Sequence, residues 1–344
     1  MTRLRKIVCD PALMEDLCRA AFSGQGRFLT GIVGAWRELF LARVQRDGLR
    51  ACPVPQAHGL TAAAFRDFLG ADGKQCVELL YGGEDFLGVR RYLPSKRRHN
   101  PHIPTRLQLG SIYTIKASSD GRYVALGSTR GGVEVWNLDM DEPALVFDGW
   151  LNSMGNIVAL SFSASNCALY VSGSQGGIVQ LRVLGEGAAR LHRDPAEDDG
   201  ACGWNCFAID TQSEGDGVAF AGDGSKVWLL NVENAPVAAL SDDVPFPYGR
   251  GRTVTGGNYF YLPGLHRARL GCLETFSGGL IQHLRFLDRE RLAVAGEKGV
   301  EVFHLPTGRR ILRQPHSKDV RIPALGALMD SGRQAETVLV LASR

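Results

Sequence analysis

A repeat restricts this chain more than any other feature. One unit runs Ile112-Tyr113-Thr114-Ile115, Ser119-Asp120-Gly121, Tyr123-Val124-Ala125-Leu126-Gly127-Ser128 and Gly132-Val133-Glu134-Val135-Trp136-Asn137-Leu138. About 46 residues later the order returns as Val158-Ala159-Leu160-Ser161-Phe162-Ser163, Leu169-Tyr170-Val171-Ser172-Gly173-Ser174 and Gly177-Ile178-Val179-Gln180-Leu181. Ala219 to Gly222 with Lys226 to Asn231, and Leu292 to Gly296 with Gly299 to Leu305, are further copies. Thr253 to Gly257 with Tyr259 to Leu262 falls at the expected interval without the pattern and reads as a degenerate copy. Short period-2 runs at this spacing predict four-stranded sheets that cannot bury both faces alone and must stack on their neighbours. Glycine, at 42 of 344 residues, exceeds the usual share of about 7% and supplies the turns such strands need.

These units resemble the blades of WD-repeat β-propellers, in which the third strand ends in Trp-Asp, here Trp136-Asn137. The resemblance covers roughly residues 105–344 and implies a wheel of blades whose loop rims bind other proteins. Arg130 and Lys298 stand where the family has an Asp between the second and third strands, and the opening Gly-His is missing. The resemblance therefore rests on strand rhythm and glycine placement. Thr337 to Ala342 reads as the middle strand of an unfinished blade. Val77 to Gly83 with Phe86 to Arg90, strands near 77–91, are the expected partners that close the ring against 337–342, giving six blades, or seven.

Upstream, residues 10–70 read as three short helices. Asp10-Pro11 has the form of an N-cap with a first-turn proline, followed by Leu13, Met14, Leu17, Cys18 and Ala21 up to Ser23-Gly24. Phe28, Leu29, Ile32, Val33, Trp36, Leu39 and Phe40 form one stripe opposite Arg37, Glu38, Arg43 and Asp47, with Gly48 as the stop. Leu60, Thr61 and Phe65 have the spacing of a hydrophobic staple, with Gly70 as C-cap. The expected fold is mainly β: a six- or seven-bladed WD-repeat-like propeller over residues 75–344, preceded by a small α-helical domain over residues 1–74.

The run of Pro11, Leu13 and Leu17 followed by Leu29, Ile32, Val33, Trp36 and Leu39 resembles an F-box over about residues 9–50, although Asp10-Pro11 and Val33 depart from its pattern. That resemblance implies docking on a Skp-type adaptor of a cullin ubiquitin ligase through those side chains. The alternative is a helical cap that packs the same residues against the propeller. A second candidate contact is Arg90, Arg91, Lys96, Arg97 and Arg98, five positive charges in nine residues beside Pro94 and Pro101. It reads as a solvated linker or as a dock for phosphate, RNA backbone or an acidic partner. Glu197-Asp198-Asp199 mirrors it with opposite sign.

No catalytic, cofactor or metal set emerges. The chain has no P-loop, dinucleotide fingerprint, H-E-x-x-H or G-x-S-x-G. His99 and His102 are a close pair without Cys or clustered carboxylates, and Cys202 and Cys206 flank Gly203-Trp204-Asn205 with no adjoining base. Eight cysteines without C-x-x-C spacing read as reduced, packed thiols. A formal charge of +3 is too small for a general nucleic-acid footprint, and no apolar run is long enough for a membrane helix. The expectation is a non-enzymatic, intracellular interaction scaffold, cytoplasmic or nuclear with an organelle left open. Its concrete form is a substrate receptor of a ubiquitin ligase; the alternative is a structural subunit of a large ribonucleoprotein or organellar complex.

Overall fold

The computed structural model describes residues 3–8, 17–23, 26–45, 48–52, 59–69, 73–93, 102–105, 110–140, 142–151, 154–175, 178–183, 206–213, 215, 217–222, 226–230, 260–261, 270–275, 280–315, 324–328 and 337–342. Among them there is no α-helix; the regular elements are strands and short 3-10 turns, such as Leu305–Thr307. Strand β1 (Arg3–Val8) comes first. A four-stranded sheet follows in chain order from β2 (Leu17–Phe22), β3 (Phe28–Val33), β4 (Glu38–Gln45) and β5 (Gly48–Ala51). The next sheet is β6 (Ala62–Leu69), β7 (Gln75–Gly82), β8 (Phe86–Leu93) and β9 (His102–Pro104), and the third is β10 (Ile112–Ala117), β11 (Tyr123–Ser128), β12 (Gly132–Asn137) and β13 (Ala144–Trp150).

Two sheets then take their fourth strand from further along. β14 (Ile157–Phe162), β15 (Ala168–Gly173) and β16 (Ile178–Arg182) form one, and β17 (Cys206–Thr211), β18 (Val218–Gly222) and β19 (Lys226–Leu230) the other. β20 (Phe260–Tyr261) pairs parallel with β16, and β21 (Leu270–Glu274) pairs antiparallel with β19. β22 (Ile281–Phe286), β23 (Arg291–Gly296), β24 (Gly299–His304) and β25 (Arg309–Pro315) meander in order. β26 (Ala324–Leu328) and β27 (Thr337–Ala342) join β1 in a three-stranded sheet of order β1-β27-β26. The described residues thus hold six four-stranded sheets and one of three strands.

The chain divides into two compact units, residues 1–129, 133–148 and 318–344 in one, and residues 130–132 and 149–317 in the other. In the first, Phe28, Ile32, Leu39 and Leu41 meet Leu60, Phe65, Val77 and Leu79 between neighbouring sheets. Leu80, Leu87 and Val89 meet Ile112, Val124 and Leu126 at the next interface. In the second, Tyr170 and Ile178 pack with Cys206, Phe220 and Trp228, and Val227 and Leu229 pack with Ile281, Leu284 and Val294. Middle strands are consequently buried on both faces, as in β18, where all five residues are buried.

The repeat reappears as hydrogen bonds. Ser23, Ser118 and Ser163 each accept, on the hydroxyl, the backbone N–H five residues on, from Phe28 at 3.1 Å, Tyr123 at 2.9 Å and Ala168 at 3.1 Å. Those bonds close the turn between the first and second strands of three sheets. Five first-strand pairings also slip by one residue near the start, at Leu17/Arg19, Ile112/Thr114, Ile157/Ala159, Cys206/Ala208 and Ile281/His283.

The helical N-terminal domain expected over residues 1–74 is therefore corrected: β2 to β5 form a sheet with the same turn bond and the same bulge as the repeats. Leu17 pairs with Val33, and Ile32 pairs with Leu39 across the β3–β4 turn, so a three-and-four spacing in sequence is cross-strand adjacency in space. Thr61, read as a helix cap, donates its hydroxyl proton to carbonyls of Gly82 and Ile112. Gly48 begins a strand instead of ending a helix. Asp10, Pro11, Leu13, Met14 and Gly70 lie outside the described residues. The strands near 77–91 pair with β6 and β9 in their own sheet, and the strand that meets Thr337–Ala342 is β1, in parallel register from Arg3 opposite Thr337 to Val8 opposite Ala342. Of the degenerate copy, residues 253–257, Tyr259 and Leu262 lie outside the described residues, while Phe260 and Tyr261 finish the sheet of β14–β16 instead of starting another.

One ion pair ties two sheets of the first unit together. Arg66 on β6 and Glu78 on β7 are 3% and 5% exposed, with the guanidinium 2.7 Å from the carboxylate. The same guanidinium lies over the Phe68 ring and donates to the Gly121 carbonyl in the β10–β11 turn. Gly121 has φ +70°, and a Cβ there would come within 2.6 Å of the Phe68 Cβ, so only glycine lets the turn approach. Glu78→Ala leaves Arg66 buried without its carboxylate and is expected to cost about 3–5 kcal/mol in urea unfolding, while the double change Arg66→Met/Glu78→Leu recovers most of it.

Cysteines 52, 76, 167 and 206 are free thiols. Burial pushes the Cys206 thiol up to about 12, whereas Cys167 is exposed. Iodoacetamide at pH 8 is expected to label Cys167 in the native protein and Cys206 only after unfolding, as read by peptide mass spectrometry. The raised value also has a sign: the unfolded thiol ionises near 8.5, so the stability that protonated Cys206 contributes is complete below that pH and is withdrawn as pH rises toward 12.

Candidate protein-docking surface

The four residues linking β3 to β4 project an aromatic ring into water. Gly34 has φ +71° and Arg37 φ +52°, both in the left-handed region, and Arg37 N–H donates to the Gly34 carbonyl at 3.1 Å. The turn is anchored from the side as well: the Trp36 carbonyl accepts Gly59 N–H at 3.1 Å, and the Arg37 carbonyl accepts Leu60 N–H at 3.2 Å. Leu60 is fully buried, so that anchor rests on the core. The Trp36 side chain remains 78% exposed, the most exposed of the large apolar side chains among the described residues. A left-handed Arg and a solvated indole are both unfavourable in isolation, and a backbone fixed at two points keeps them in place.

The rim continues through Gly59. A Cβ on Gly83 would lie 3.2 Å from the Gly59 carbonyl oxygen, which sets the β7–β8 turn against the segment that holds Trp36. Ile112 N–H donates to the Gly83 carbonyl at 2.9 Å, and Thr105 N–H to the Asp85 carbonyl at 3.0 Å. Glu84 and Asp85 at the tip of this turn are exposed. One indole and two carboxylates thus stand on neighbouring turns of one unit, both with braced backbones. Such a surface can stack on an apolar or cationic side chain and pair with positive charge, and exposed Trp on a rigid turn is a residue type enriched where binding energy concentrates.

The sequence candidates separate cleanly. Leu17, Leu29, Ile32 and Leu39 are 4%, 0%, 1% and 5% exposed, inside the sheet core, and Val33 is half-buried. They offer no apolar helix face to an adaptor. Among the described residues of that set, Trp36 alone is exposed. Leu13 lies outside the described residues, as do Lys96, Arg97 and Arg98; Arg90 is half-buried near the end of β8, and Arg91 follows it on the strand. Glu84 and Asp85 were not singled out from sequence, where the only signal is an acidic pair after Gly82-Gly83. No group of three or more His, Cys, Asp and Glu among the described residues is arranged to hold a metal ion. His99 lies outside them, and His102 opens β9. No helix of the described residues is long and apolar enough to cross a membrane.

No family model and no curated protein matches the chain. Solved structures do. The crystal structure of Sqt1 from Chaetomium thermophilum is similar with a TM-score of 0.57 at 15% identity, covering 91% of this chain and 75% of that one. The same protein bound to the N-terminus of the ribosomal protein L10 is similar with a TM-score of 0.58 at 14% identity, covering 95% and 81%. The likeness, together with the sheet order and the shared first-strand bulge, makes the fold a WD-repeat type of β-propeller.

Proposed function

We propose that this chain is a non-enzymatic interaction protein that holds a segment of a partner protein on the rim formed by Trp36, Glu84 and Asp85. The observation that carries the reading is Trp36, exposed at 78% on a turn held by hydrogen bonds from Gly59 and from the buried Leu60. The similar structure of Sqt1 bound to the N-terminus of the ribosomal protein L10 supports a protein segment as the kind of partner. Indole and carboxylates together favour a segment with cationic side chains, since a guanidinium or ammonium can stack on the ring and pair with the acids.

Two narrower readings rank below it. A ubiquitin-ligase receptor that docks through an F-box needs Leu17, Leu29, Ile32 and Leu39 on a surface, and they are in the core. A fixed subunit of a ribonucleoprotein or organellar assembly is favoured only by the ribosomal partner of the Sqt1 neighbour, and it predicts a partner that does not release the chain at high salt.

The test is affinity purification of the wild-type chain against Trp36→Ala and Glu84→Lys/Asp85→Lys, with melting curves as folding controls. Loss of an indole at the centre of a docking site is expected to cost about 2–4 kcal/mol, roughly 30-fold or more in Kd, and the charge reversal should remove the salt-sensitive part of binding. Unchanged partner recovery from both folded variants would overturn the proposal.

A further inference from the structure

β25 closes its sheet on the outside, next to β24, and six of its seven residues are exposed, Leu312 being half-buried. By contrast β13, also the last strand of its sheet, is half-buried along its length with Phe147 buried. An outer strand has one row of backbone N–H and C=O groups that its own sheet does not use.

Side chains on β25 give that row a definite character. Arg309, Arg310 and Arg313 lie within five residues, and no Asp or Glu occurs from Val302 to Pro315. Arg310 is committed inward: its guanidinium is 2.5 Å from the buried Glu301 carboxylate and 5.7 Å from the Phe303 ring centre. The pairing with β24 slips between Val302/Leu312 and Phe303/Arg310, so Ile311 is the extra residue of a bulge, and it is 48% exposed. A bulge turns its side chain to a new direction, here an apolar one between arginines.

We propose that the outer edge of β25 receives an acidic, extended segment of a partner protein as an added strand. Main-chain hydrogen bonds supply the attachment, Ile311 contacts an apolar side chain, and Arg309 and Arg313 select carboxylates. Charge identifies the occupant. A second copy of this edge would set arginines against arginines, so the feature that deters self-association admits an acidic strand. The inference lies in the other unit from Trp36 and does not rest on the reading of that rim.

The experiment measures fluorescence anisotropy of three labelled peptides with the full chain: alternating glutamate and valine, the lysine counterpart, and the glutamate peptide N-methylated at alternate backbone amides. The glutamate peptide is expected to bind, more weakly as salt rises, and the lysine peptide not to bind. Arg309→Glu/Arg313→Glu should weaken binding at least about tenfold, as reversing charges at a docking edge does. N-methylation should weaken it as much, because it removes strand-forming donors. Equal binding by the lysine or the methylated peptide would overturn the proposal. So would a single-stranded oligonucleotide of matched charge that binds better and loses more through the double substitution, or a dimer of the unmodified chain in sedimentation that the substitution dissolves. If the double variant melts early, the methylated peptide on the unmodified protein decides.

Discussion

A sheet whose middle strands are apolar on both faces is insoluble by itself, and that single constraint organises this molecule. Val124, Ala125, Leu126, Val133 and Val135 are fully buried although they lie on two adjacent strands of one sheet. Burial on both faces demands a neighbour on each side, and chain order supplies it within each unit: β2 lies beside β6 and β6 beside β10, and β14 lies beside β17 and β17 beside β22. Three polar side chains at the β17 end of these interfaces are hydrogen-bonded across to neighbouring sheets. Asp210 accepts the Phe286 N–H at 2.8 Å, Thr211 donates to the Phe162 carbonyl at 2.5 Å, and Gln212 donates to the Arg289 carbonyl at 3.0 Å. A buried polar side chain left without such a partner would cost more than the bond contributes.

The same constraint explains what could be read from sequence and what could not. Over residues 112–138 the strands, turns and third-strand aromatic were visible because glycine and Ser-Asp-Gly punctuate them. In β3, burial of Phe28, Leu29, Thr30, Gly31 and Ile32 in succession erased the alternation that marks a half-exposed strand. An unbroken apolar run does not distinguish strand from helix, and the spacing of Leu29, Ile32, Trp36 and Leu39 then imitated a helical stripe. Two local signals pointed the other way. Gly31 and Gly34 interrupt the supposed helix, and Ser23 precedes Phe28 by the interval that separates Ser118 from Tyr123.

Of the candidate sites, Trp36 was legible as a residue but not as a surface. Its exposure depends on the left-handed turn and on Gly59, neither of which a single sequence displays. Glu134 and Glu301 show how one architectural need is met by two chemistries. Both are buried at the third position of the third strand; Glu134 accepts the Trp136 indole N–H at 2.8 Å, whereas Phe303 has no such donor and Arg310 reaches in from the next strand. In these two sheets a buried carboxylate beside an aromatic ring is matched by an indole N–H in one and by a guanidinium in the other.

The parallel pairing of β1 with β27 joins the earliest described strand to the latest. During synthesis on a ribosome, Arg3 to Val8 must wait for Thr337 to Ala342 to be translated before this ladder can form, and closing so large a loop is slow. For that interval β1 lacks the β27 ladder. Until then the backbone groups that this parallel ladder uses have no partner in β27.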